Sequence, residues 1–165
     1  MPAGARGVAA VALSSCKRYV ACADLANVHN VSVYNISRKK QLFTTEGGKE
    51  KILDLVWSKR PDDLRFVTQT LKTVNFWHPA DVTKKITQKG TFGTKHAMTN
   101  FGCVCFDEEG WFYTGGENGI INVWSDACQV VKSIKAHASG ITAIHADGGK
   151  LFSGGKDRKV AIISI

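Results

Sequence analysis

The stretch LFSGGKDRKVAII, residues 151 to 163, constrains this chain most, because altered forms of it stand at three earlier places. Leu151 to Ser153 reads as one strand, Gly154 to Lys159 as a tight turn centred on Asp157, and Val160 to Ile163 as a returning strand. Residues 112 to 124, FYTGGENGIINVW, follow the same template at a constant offset of 39 residues. Thr114 then matches Ser153, Gly115 and Gly116 match Gly154 and Gly155, Asn118 matches Asp157, and Trp124 matches Ile163. A third copy, FVTQTLKTVNFW at 66 to 77, keeps both strands and the closing Trp77 but lacks the glycines. A fourth, YVACADLANVHNVSVY at 19 to 34, closes on Tyr34 after a longer turn. Asn118-Gly119 is a strong type I′ hairpin signal, since both central residues of that turn need positive φ.

The closing residues stand at 34, 77, 124 and 163, in steps of 43, 47 and 39. A period of roughly 40 to 45 residues with four strands per unit is that of a β-propeller blade. Read in order, blade one takes Val8 to Leu13, Arg18 to Ala23, Asn30 to Asn35 and Gln41 to Thr45. Blade two takes Ile52 to Trp57, Leu64 to Thr68, Thr73 to Trp77 and Lys84 to Gln88, with Pro61 and Pro79 in its turns, where a missing backbone donor does no harm. Blade three takes Gly102 to Phe106, Trp111 to Thr114, Ile120 to Trp124 and Val130 to Ile134. Blade four has Ile141 to Ala146 and the opening hairpin, without an outer strand. No segment carries a convincing 3.6-residue apolar period, so the fold class is all-β. The expectation is one partial propeller domain over 1–165, with blades at approximately 6–46, 50–90, 100–136 and 140–165. A blade completes its core only by stacking on neighbours, so four blades with open flanks point to a fragment of a larger propeller or to self-association through the open edges.

The basic excess, +8, favours acidic partners: nucleic acid, an anionic membrane or an acidic protein surface. No segment approaches the apolar length needed to span a bilayer, which argues against a membrane role. Five cysteines without framework spacing, and an N-terminus MPAGARG without an apolar signal core, favour a reducing, cytoplasmic setting. Cys103 and Cys105 share one face of a strand, but two sulfurs without further ligands at metal spacing read as packed thiols. The five histidines are scattered, and Gly155-Lys156 is followed by Asp157 and lacks the earlier glycine of a phosphate loop. The expectation is a non-enzymatic chain with no catalytic residue, metal or cofactor.

These residues resemble the WD-repeat family, in which a His entering a blade, a Ser or Thr on its second strand, an Asp in the next turn and a Trp on the third strand form a hydrogen-bonded tetrad. The resemblance assigns His137, Ser153 and Asp157 to that set in blade four, with Ile163 in the Trp position. It assigns Thr114, Asn118 and Trp124 in blade three, where His96 falls one position out of register, and leaves blades one and two little beyond Tyr34 and Trp77. A more specific resemblance is to the echinoderm microtubule-associated protein-like family. It is carried, in the family's order, by RGVAAVALS, HNVSVYNISRKKQL, VNFWHP, TGGENGIINVWS, KAHASGITAI and LFSGGKDRKV. The characteristic hydrophobic motif of the longer members is not recognisable, so the chain is similar to a run of blades from their first propeller. The resemblance implies a cytoskeletal protein-binding scaffold whose partner is tubulin or microtubules.

Turns between second and third strands share one propeller face with the inter-blade loops. That face would carry Lys49, Lys51, Lys72, Lys95, Lys156, Arg158 and Lys159, with Lys89 and Lys135 near its rim and Glu46, Glu50, Glu117 and Asp157 opposing them. The set is net basic, which suits acidic tubulin; the plainer alternative is a set of ordinary solvated loop lysines. The opposite face would carry Lys17, Arg38, Lys39, Lys40, Lys59 and Arg60, a comparable supply. Two further readings stand beside this one: a scaffold for another cytosolic protein, and a nucleic-acid module motivated by charge and by Trp57, Phe92 and Trp111. Trp57 and Trp111 fall in expected strands, where an aromatic ring more often packs than stacks on bases.

Overall fold

A computed structural model describes residues 7–77, 87–93 and 99–165. Lys84 to Ile86 of the expected outer strand of blade two, together with Pro79, Lys95 and His96, lie outside the described residues. The chain divides into two compact units, Met1–Gln88 and Lys89–Ile165.

All the regular structure described is β, in four antiparallel sheets whose strands follow chain order. In the first unit, β1 (Val8–Leu13), β2 (Tyr19–Asp24), β3 (His29–Asn35) and β4 (Lys40–Gly48) make one sheet. The next sheet is β5 (Asp54–Trp57), β6 (Phe66–Gln69), β7 (Val74–Trp77) and β8 (Thr87–Lys89), which reaches the boundary of the unit. The second unit holds β9 (Phe101–Phe106), β10 (Phe112–Gly116), β11 (Ile120–Trp124) and β12 (Val130–Lys135), and then a three-stranded sheet of β13 (Ile141–Asp147), β14 (Lys150–Gly155) and β15 (Val160–Ser164). These are propeller-type blades, the fourth with three strands.

Each unit builds its core between two sheets. In the first, Ala21, Ala23, Val31 and Val33 of one sheet meet Leu55, Trp57, Phe66 and Trp77 of the other. The Phe66 ring lies parallel to Trp77 at 5.6 Å and tilted against Trp57 at 4.7 Å, and the Trp57 indole donates to the Ala12 carbonyl at 3.0 Å. In the second, Cys105, Tyr113, Ile121 and Val123 pack on Ile141, Ala146 and Leu151, with Cys103 at the margin. Both cysteines of the pair are thus part of, or set against, an apolar core, and none of the five cysteines is in a disulfide. Phe92 stacks on Phe101 at 5.6 Å and meets Trp124 edge-on at 5.2 Å, while the Thr91 amide donates to the Cys128 carbonyl.

Several strand ends differ from the sequence expectation, and local polar bonds explain them. The second strand of blade two starts at Phe66 rather than Leu64, because the Asp63 carboxylate accepts the Arg65 amide at 2.9 Å and its guanidinium at 2.7 Å, holding 63–65 as a turn. Blade three's second strand starts at Phe112, because the Trp111 amide donates to Asp107 Oδ1 at 2.8 Å within the preceding turn. Trp111 is therefore outside the strand and 42% exposed, which overturns its reading as a packed strand residue.

Candidate functional site

Glycine placement in the repeated hairpin has a local cause. A Cβ on Gly155 would stand 2.5 Å from His137 Nδ1 and 2.6 Å from Asp157 Oδ1, and one on Gly116 would stand 2.6 Å from Asn118 Oδ1. The second glycine of each pair leaves room for the polar side chain of its own turn. Gly119, at φ 75, places its α-carbon against the His137 carbonyl, where a Cβ would stand 2.2 Å away.

His137 is buried beside this turn. Its Nδ1 faces Asp157 Oδ1 at 3.0 Å and its Nε2 faces Ser153 Oγ at 2.9 Å. An ionised carboxylate only accepts, so Nδ1 carries the proton, and in the neutral ring Nε2 accepts from the Ser153 hydroxyl. Asp157 also accepts the Ala138 amide at 3.0 Å and the Lys159 amide at 3.2 Å. Burial works against ionisation of Asp157, but the Ala138 amide, the His137 ring and the Lys159 amide outweigh it and hold the carboxyl below its ordinary value.

The remaining residues assigned by resemblance fall into a complementary half. Trp124 donates from its indole nitrogen to Thr114 Oγ1 at 3.0 Å, both side chains buried. Trp77 donates to Thr68 Oγ1 at the same distance. Blade four thus holds a His–Ser–Asp set, and blades two and three each hold a Thr–Trp pair. Asn118 Oδ1 accepts the Ile120 amide at 3.1 Å, closing its own turn. Sequence reasoning missed Thr68, although the signal was present: FVT at 66 aligns with FYT at 112.

A second feature escaped the sequence entirely, because it joins different residue types in different blades. In three blades the loop entering the blade is tied to the turn between the second and third strands. In blade four the tie is Asp157 to His137 and Ala138, reinforced by the Lys156 amide donating to the Gly140 carbonyl at 2.8 Å. In blade three Asn100 Nδ2 donates to Glu117 Oε2 at 2.9 Å, and the Glu117 amide donates to the Asn100 carbonyl at 2.9 Å. In blade two Glu50 Oε2 accepts from Thr70 Oγ1 at 2.6 Å and from Thr73 Oγ1 at 3.3 Å.

These ties decide what the basic turns expose. Lys49, Lys51 and Lys72 are exposed in the first unit, with Glu50 between them turned to Thr70 and Thr73. Lys156, Arg158 and Lys159 are exposed in one turn of the second unit, while Asp157 between them is turned to His137 and Ala138. Each trio flanks an acid that is bonded to its own turn or entering loop, Asp157 part-buried and Glu50 exposed; Lys95 lies outside the described residues. Of the three aromatic candidates for base stacking, Trp57 and Phe92 are held in ring clusters and Trp111 alone is exposed. Among the described residues, no group of three or more His, Cys, Asp or Glu is placed to hold a metal ion, and no helix is long and apolar enough to cross a membrane.

Comparison with known proteins agrees with this geometry at two levels. Residues 128–164 match the family profile "WD domain, G-beta repeat", so this segment is a WD repeat. The ciliary WD repeat-containing protein ctxp80 of Euplotoides octocarinatus is 34% identical over 161 residues, covering 96% of this chain and 22% of the relative. The 77 kDa echinoderm microtubule-associated protein of Strongylocentrotus purpuratus is 26% identical over 149 residues, covering 87% of this chain and 21% of the relative. The chain therefore spans about a fifth of the length of these curated relatives. The crystal structure of the computationally designed Ika4 protein aligns over 99% of this chain and 94% of its own, with a TM-score of 0.75 at 21% identity, a likeness of fold alone.

Proposed function

We propose that this chain is a non-enzymatic protein-binding scaffold, a WD-repeat segment of a microtubule-associated protein, and that its partner is tubulin in the cytoplasmic cytoskeleton. The reading takes 1–165 as one partial propeller domain. One observation carries it: Lys156, Arg158 and Lys159 are exposed in one turn whose acid, Asp157, bonds the His137 ring and the Ala138 amide. A turn built this way presents three cations to an acidic partner against the single carboxylate of Asp157, whose oxygens are already bonded to the His137 ring and the Ala138 amide, and the names of the similar proteins supply the partner class. Lys49, Lys51 and Lys72 offer the same arrangement around Glu50.

Co-sedimentation with polymerised tubulin over a salt series tests this. Binding is expected to weaken as salt rises. Reversing Lys156, Arg158 and Lys159 to Glu is expected to weaken it by roughly 1–3 kcal/mol, on the order of tenfold or more, from three exposed charge contacts. The matched reversal of Arg38, Lys39 and Lys40 is expected to leave it within about twofold. Unchanged sedimentation in the first variant with loss in the second would reverse the face. Binding to nucleic acid with a steep salt slope and none to tubulin would replace the partner.

A further inference from the structure

Asp107 closes the turn 107–111 by saturating its own carboxylate. Oδ1 accepts the amides of Glu109 at 3.0 Å and Trp111 at 2.8 Å, and Oδ2 accepts the buried Tyr113 hydroxyl at 2.8 Å. Burial, followed by the facing Asp107 carboxylate, pushes the Tyr113 phenol well above its ordinary value, so it stays a donor at any physiological pH. This buried knot fixes the turn, in which Glu108, Glu109 and Trp111 are exposed.

Beside them a cavity of about 400 Å³ opens between the two sheets of the second unit, within the size range of ligand sites. Its apolar wall includes Tyr113, Val123 and Ile134, and its rim carries Glu108, Glu109 and Trp111. With Asp107, the lining holds three carboxylates against one ammonium, that of Lys132, in a chain whose overall charge is +8. The sign of the protein is thus inverted at this recess. An apolar wall, an open indole face and adjacent carboxylates fit one kind of guest: a long cationic side chain whose methylenes lie along the wall and whose head meets the indole and the acids.

We infer that the recess beside Trp111 is a docking site for an arginine or lysine side chain of a basic peptide segment in a partner protein. The site lies at the opposite end of β10 from the turn after Gly116, so it is separate from the basic turns and independent of the tubulin reading. A cationic peptide is repelled by the chain as a whole, so saturable binding reports the recess itself.

The test uses the whole chain and a fluorescein-labelled, end-capped hexapeptide of alternating leucine and arginine, with a leucine–glutamate peptide of the same length as the comparison. Anisotropy is expected to show saturable binding of the arginine peptide, with the glutamate peptide about tenfold weaker or worse. Acrylamide quenching follows Trp111, since the other three tryptophans are buried, and the arginine peptide is expected to reduce it. Glu109→Lys and Trp111→Ala are each expected to lower affinity about tenfold with an unchanged far-UV spectrum, whereas Lys132→Glu is expected to raise it several-fold. Equal binding of both peptides, or affinity unmoved by Glu109→Lys, Trp111→Ala and Lys132→Glu together, overturns the inference.

Discussion

Asp157 is bonded to the His137 ring and the Ala138 amide from within a basic turn, and its titration exposes what its charge does for folding. Its carboxyl is held below its ordinary value by the Ala138 amide and the His137 ring against the opposing effect of burial. A depressed folded value means that the unfolded chain takes up the proton first as pH falls. The stabilisation is therefore complete above the ordinary carboxylate value and disappears as pH drops through the lower folded value. The Asp157→Asn variant is expected to be less stable than the parent at neutral pH, with the difference shrinking on acidification below pH 4. Urea midpoints measured at several pH values check this, and a constant difference down to strongly acid pH would show that Asp157 contributes by shape rather than by charge. At this scale much was legible: Ser153 and Asp157 align with Thr114 and Asn118 when one hairpin is matched to another, and the resemblance to WD repeats added His137. Trp111 could not, because alternation alone puts it in a strand, and only the Asp107 side chain takes its amide out.

The elements repeat, but the ties that hold their turns do not, and this is why strands were readable and ties were not. Strand order follows from alternating burial and a fixed period, which survive substitution of one apolar residue by another. A tie between the entering loop and the hairpin turn needs only one donor and one acceptor, and the three blades supply them as carboxylate and imidazole, amide and carboxylate, and carboxylate and hydroxyls. No single residue template spans those pairs. In blade two, Glu50 substitutes for a buried histidine and glycine pair by gripping Thr70 and Thr73. Glu50→Ala is expected to cost about 1 kcal/mol, the net worth of an ordinary hydrogen bond at a partly exposed site. Hydrogen exchange localises the effect: the amides of Thr70, Lys72 and Thr73, which are bonded within the turn, are expected to exchange faster, with β6 and β7 unchanged. Faster exchange spread evenly through the sheet would show that Glu50 supports the blade as a whole rather than its turn.

At the scale of the molecule, the free sheet faces set the behaviour. Ala10 and Ala12 of β1 turn toward the first core, so Val11 and Leu13 face the other way, 63% and 52% exposed. Ile163 of β15 packs on the second core, which leaves Val160 and Ile162 on the free face at 74% and 64% exposed. Strands with apolar residues on an open face and an unpaired edge bind other strands unless charge or proline prevents it, and neither β1 nor β15 contains a charged residue or a proline. The two faces are built from different residues, so a contact between the β1 face of one copy and the β15 face of another is heterologous and repeats or closes rather than stopping as a symmetric pair. A stable contact of this kind needs on the order of 800 Å² from each copy. Sedimentation velocity is expected to show mass rising with concentration for the isolated chain. Val160→Lys with Ile162→Lys is expected to shift the midpoint of association upward by about tenfold or more, two buried apolar side chains being worth a few kcal/mol. The substitutions sit on the free face, so the parent far-UV spectrum should be kept. A parent chain that remains a monomer at the highest concentrations reached would remove the argument, because the exposed faces would then be tolerated without a neighbour.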